Sequence, residues 1–159
     1  MLILRSGITG IYDGKGNPPP SVKENTFKQL CYSLFASKVQ DFIGTEEDGI
    51  KNFYEAVVKL NNKRIHILLN AHYPYMAYTD TRELYVDYFP FIANDQLADS
   101  FKPYYKVLSP SQLNEPLTFK RIKGKVSLEN ENTLSEIDLE QLVYWDAKTV
   151  GNVVFNYWD

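Results

Sequence analysis

His72 is the side chain with the best claim to chemistry. It stands in Asn70-Ala71-His72-Tyr73-Pro74-Tyr75, just past a stretch that alternates as a strand does. Catalytic groups are often carried on loops that a rigid sheet positions. Asp80, Glu83 and Asp87 follow closely enough to orient an imidazole, so one reading of the set is a small hydrolase centred on His72. The competing reading is a structural histidine, hydrogen-bonded among aromatics. His66 alternates within the strand and has a lesser claim. Cys31 falls inside an apolar helical stripe, where a free cysteine acts as a small core hydrophobe rather than a nucleophile.

Other chemistry is mostly excluded. The glycines between Gly10 and Gly16 lack the Lys-Ser/Thr of a phosphate loop and the strand–helix setting of a dinucleotide fingerprint. One cysteine and two histidines cannot build a structural zinc site. Asp80 and Asp87 follow no cation-ligand spacing, and no Gly-x-Ser-x-Gly elbow is present. No motif calls for a cofactor or a metal.

Two segments suit binding better. From Tyr73 to Phe91 the chain carries Tyr73, Tyr75, Tyr78, Tyr85, Tyr88, Phe89 and Phe91, interspersed with Asp80, Glu83 and Asp87. Aromatic anchors ringed by charge describe a protein interface, here one for a basic partner. Some of these aromatics must face the core, because neighbours in a strand point to opposite sides. From Lys120 to Lys125 four cations, Lys120, Arg121, Lys123 and Lys125, surround a hairpin tip with Phe119 beside it. Cations interleaved with aromatics suit a single-stranded nucleic acid. The pI near 5.4 and the acidic flanks argue against that use.

The elements that must position these residues are legible in part. Ser21 and Glu24 fit a capping box. Phe27, Leu30, Cys31, Leu34 and Phe35 then form one stripe at helical spacing. Val39, Phe42 and Ile43 either prolong that helix or form a separate extended piece. Asn61-Asn62 predicts a tight hairpin turn between Phe53 and Asn70. Its first arm, Tyr54–Leu60, reads as strand, with a short helix as the alternative. A second hairpin is expected from Tyr75–Thr79 and Leu84–Phe89. A short helix capped by Asn94 or Asp95 should follow, with strands over Tyr104–Leu108, Leu117–Ile122 and Lys125–Leu128. Thr149 caps a closing helix of about two and a half turns, with Val150, Val153, Val154, Tyr157 and Trp158 on one buried face.

Taken whole, the 159 residues suit one domain, 1–159, with an ordinary globular balance of 44% apolar and 23% charged residues. The single cysteine excludes an internal disulfide. No secretory signal or membrane-length apolar run is seen, so a reduced, cytoplasmic setting is expected. Net charge is −3, but it is blocked out: acids from Asp80 to Asp99, bases from Lys102 to Lys125, acids again from Glu129 to Glu140. Such blocks either steer a charged partner or stay as solvated faces.

The ending Tyr144-Trp145-Asp146-Ala147-Lys148-Thr149-Val150-Gly151-Asn152-Val153-Val154-Phe155-Asn156-Tyr157-Trp158-Asp159 resembles that of small bacterial proteins of the polymorphic-toxin immunity type. The resemblance covers these sixteen residues and transfers no functional residue. It implies a bacterial, immunity-type binding protein; together with the acidic, tyrosine-rich segment from Tyr73 to Asp99 the expectation is a non-enzymatic inhibitor of a basic toxin. The expected fold is α+β: an antiparallel, hairpin-rich sheet with one long helix in the N-terminal half and a short C-terminal helix.

Overall fold

Ile65, Ile67 and Leu69 alternate with His66, Leu68 and Asn70, and both sets find a core to enter. A computed structural model describes residues 2–45, 51–82 and 88–158. Among these the strands are β1 (Leu4–Arg5), β2 (Val39–Ile43), β3 (Phe53–Leu60), β4 (Lys63–Asn70), β5 (Tyr75–Thr79), β6 (Phe91–Ile92), β7 (Lys106–Val107), β8 (Phe119–Ile122), β9 (Lys125–Leu128) and β10 (Asn132–Thr133). The helices are α1 (Glu24–Phe35), α2 (Asp95–Phe101), α3 (Pro110–Leu113), α4 (Glu136–Tyr144) and α5 (Val150–Val154). The α+β class holds, with the long helix before the main sheet and a short one near the C-terminus.

The main sheet runs β2-β3-β4-β5, and β6 and β7 share the far edge of β5. Its pairs are antiparallel except β5–β7, where Tyr75 pairs with Lys106 and Met76 with Val107. The Asn61-Asn62 turn forms as its side chains allow, both residues at positive φ (51° and 64°). Tyr54–Leu60 is strand, with no helical stretch. Its weak alternation has a physical source: β3 is covered on both faces and is buried from Phe53 to Val58.

One face packs Ala56, Val58, Ile65, Ile67, Leu69, Met76 and Tyr78 against Phe27 and Cys31 of α1 and Leu97 and Phe101 of α2. The other packs Phe53, Leu68, Tyr75 and Ala77 against Ile8, Leu113, Leu142 and the C-terminal run from Val150 to Trp158. No described helix is long and apolar enough to cross a membrane.

Several boundaries differ from the sequence expectation. Val22 is tied down, its N–H donating to Ala71 O at 2.8 Å and its carbonyl accepting from the Tyr54 hydroxyl at 2.7 Å, and Lys23 after it is extended. Helix α1 therefore starts at Glu24, its N-cap position Lys23 has no side-chain cap, and the Ser21/Glu24 box does not form. Leu34 is exposed rather than part of the stripe. Val39–Ile43 is the separate extended piece, β2, paired with β3.

Thr149 does cap α5, in a capping box with Asn152, but the helix stops at Val154. Beyond it the chain pairs with residue 52: Asn156 N–H donates to Asn52 Oδ1 at 2.8 Å and Asn52 N–H to Asn156 O at 3.2 Å. Asn52 and Asn70 also donate to Val154 O, at 3.0 and 2.7 Å, and both bond Ile8 O. Buried asparagine amides thus clip both chain ends onto the sheet. Satisfied in this way they cost little; deprived of a partner each leaves buried polar groups stranded.

Helix α4 starts inside the last acidic block, where the sequence suggested only charge, and runs on to Tyr144. Asp138 there is fully buried and accepts from Thr9 Oγ1 (2.5 Å), Gly7 N–H (3.0 Å) and the Ser135 hydroxyl (2.8 Å). It is a structural tie between residues 7–9 and the start of α4, not a solvated acid.

Candidate functional site

Of the residues singled out by sequence, His72 lies just beyond β4 and is half-buried. Its Nδ1 donates to Pro20 O at 2.9 Å, and its backbone N–H donates to Asn70 Oδ1 at 2.9 Å. Burial pushes its pKa down, opposed by the Pro20 bond and the charge of Asp138. The ring is therefore a neutral donor to main chain, and among the described residues no nucleophile hydrogen-bonds it. Tyr73 is also half-buried, its hydroxyl donating to Ser6 O at 2.5 Å. Tyr75 and Tyr78 are core residues, the latter 2% exposed, and neither offers its ring to a partner. Asp80 is exposed. Glu83, Tyr85 and Asp87, and with them most of the expected Leu84–Phe89 strand, lie outside the described residues.

Sequence reasoning missed a buried charged cluster on the C-terminal-core face of the sheet. Glu55 of β3 accepts from His66 Nδ1 at 2.6 Å and from Arg82 Nη2 at 3.0 Å, with Lys51 Nζ at 3.9 Å. Arg82 also donates to the Tyr157 hydroxyl, and its guanidinium lies over the Phe53, Phe89 and Tyr157 rings. Burial alone would raise the Glu55 pKa. The His66 and Arg82 hydrogen bonds, with the charges of Arg82 and Lys51, outweigh it and hold the carboxyl down at about 2.

A carboxylate orienting a histidine is half of a nucleophile-activating set. The strand register supplies a hydroxyl, since Thr79 of β5 is directly opposite His66. Thr79 Oγ1 is, however, fully buried and without a hydrogen-bond partner. A nucleophile that no substrate can reach does no chemistry, so the cluster is a structural clamp. The available sequence signal was Glu55, a lone acid within a strand otherwise apolar from Phe53 to Val58. Among the described residues no three His, Cys, Asp or Glu converge to hold a metal ion.

The surface is different where β8 and β9 project as a separate two-stranded ribbon. Lys123 and Gly124 turn it at φ 51° and 80°, and Ile122 pairs with Lys125 across the turn. All four residues of β8 are exposed, with Ile122 at 59%. Between β9 and α4 lies a groove of about 550 Å³, its apolar wall made by Val126, Leu139, Val143 and Tyr144 and its rim by Lys125 and Glu140. Tyr144 is 77% exposed at the end of α4. A second cavity, of about 590 Å³, lies between the proline loop and the start of α4, lined by Ile11, Pro19, Tyr73 and Ser135 among others; His72 is not in its lining.

No family model matches the chain, and none of the curated proteins or solved structures matches it.

Proposed function

We propose that this chain is a non-enzymatic protein-binding domain whose contact surface is the β8–β9 ribbon together with the exposed end of α4. One observation carries the reading: Val126, Leu139, Val143 and Tyr144 form one apolar groove between β9 and α4, with Val143 and Tyr144 exposed at its α4 side. Contiguous apolar surface rimmed by charge marks interaction sites, and an exposed tyrosine at such a place is a good anchor. The tyrosine-rich segment contributes less than its composition promised, because Tyr75 and Tyr78 serve the core. The C-terminal ending that resembles immunity-type proteins is likewise core from Val150 to Trp158 apart from half-buried Asn152, and so names no partner.

The test is affinity capture from the source cells with the parent chain and with Val143→Asp/Tyr144→Ala side by side. A single protein retained in stoichiometric amount by the parent and lost from the variant supports the site. Equal capture by both, or none by either, refutes it.

A further inference from the structure

We infer that the open edge of β8 accepts an acidic, extended segment of the partner as a third strand, and that the segment's pattern is apolar–acid–acid–apolar. This rests on the protein-binding reading above and specifies its chemistry.

In a hairpin closed by a two-residue turn, the residues flanking the turn bond each other, and pairs alternate from there. Ile122–Lys125 and Lys120–Ser127 therefore satisfy one another, while the N–H and C=O groups of Phe119 and Arg121 point to the outer edge of β8. Among the described residues β8 pairs with β9 alone. An edge of this kind is a template for strand addition.

Side chains then choose the occupant. Residues two apart share a face, so one face of β8 carries Lys120 and Ile122 and the other Phe119 and Arg121. Each face thus presents one cation and one apolar group. Directly opposed residues on neighbouring strands interact, opposite charges and apolar pairs favourably and like charges unfavourably. An antiparallel newcomer is best matched when it sets an apolar residue against Ile122, acids against Arg121 and Lys120, and an apolar residue against Phe119. A second copy of β8 is a poor occupant, since antiparallel pairing sets Lys120 and Arg121 against the same cations. Nucleic acid is a poor occupant of this edge as well, since it has no peptide N–H and C=O groups to pair with those of Phe119 and Arg121.

The experiment uses the full chain and two short capped peptides of equal composition. One carries isoleucine–glutamate–glutamate–isoleucine, the other glutamate–isoleucine–isoleucine–glutamate, each between serines, and a single-stranded oligonucleotide serves as competitor. The first peptide should bind about tenfold or more tightly than the second, given four matched cross-strand pairs against four mismatched ones. Lys120→Glu/Arg121→Glu should lower its affinity by at least about tenfold, and both changes are on exposed positions that leave the core untouched. Binding should slow hydrogen exchange at the Phe119 and Arg121 amides. Equal affinity for both peptides, binding without protection of those amides, or binding of the oligonucleotide alone overturns the inference. If any of these three results occurs while capture through Val143 and Tyr144 persists, the protein-binding reading stands and only the strand-addition chemistry fails.

Discussion

Replacing Glu55 by glutamine removes the charge at the centre of the clamp while keeping its shape. Glu55 faces Arg82 at 3.0 Å, Lys51 at 3.9 Å and His66 at 2.6 Å, with its side chain 3% exposed. A carboxyl held at about 2 against an ordinary 4.5 corresponds to roughly 3 kcal/mol in favour of the folded state at neutral pH. Breaking a buried pair by removing one member costs about 3–5 kcal/mol, because the opposite charge stays buried. Both routes predict that Glu55→Gln loses about 3 kcal/mol at pH 7. The sign follows from the depressed pKa: the contribution is whole above pH 4.5 and disappears as pH falls towards 2. Urea denaturation of parent and variant at a series of pH values measures the difference. It should be constant from neutral pH down to about 5 and shrink steadily below that. A difference under about 1 kcal/mol at pH 7, or one that does not change with pH, refutes the electrostatic account of the clamp.

Three further outcomes are expected. Tyr78→Phe should be neutral or stabilising by up to about 1 kcal/mol in the same assay, since its buried hydroxyl has no hydrogen-bond partner; a loss of more than about 1 kcal/mol would show that the hydroxyl is needed. Gly151→Ala should destabilise by about 1–3 kcal/mol, because a methyl there would meet Phe91 Cε2 at 2.6 Å and Leu113 O at 3.0 Å, and a thermal scan will show it as a clear fall in Tm. Burial pushes the Cys31 thiol up to about 12, so iodoacetamide at pH 8 should leave it unmodified until denaturant is added, as intact-mass measurement will report.

The parts of the fold that were legible had local causes. Asn61-Asn62 and Lys123-Gly124 announced hairpins because few residues tolerate their backbone. Asn94 and Thr149 announced helix starts because their side chains cap free N–H groups. The failures had distant causes. Ser21 looked like a cap, but Ala71 and Tyr54 tie down Val22 and Lys23 is extended, so the helix starts later. The closing stripe ran on to Trp158 in sequence, but the helix stops at Val154 and Asn52, distant in sequence, holds Asn156 beyond it. Asp138 looked like one more surface acid until Gly7 and Thr9 came to it.

The site followed the same rule. The exposed cations of β8 and β9 were readable as a hairpin, whereas the apolar groove needed α4 beside β9, a packing that no local pattern encodes. The Glu55–His66–Arg82 clamp joins β3, β4 and the chain just beyond β5, and only strand register brings them together.

Photo-crosslinking tests the central claim most directly. A photoreactive phenylalanine analogue placed at Tyr144, beside the groove, is compared with the same analogue at Tyr32 on α1, which is also exposed. One discrete protein adduct is expected from position 144, suppressed by Val143→Asp, and none from position 32. Adducts of equal yield from both positions, or none from position 144 under conditions where a partner co-purifies, would contradict the claim.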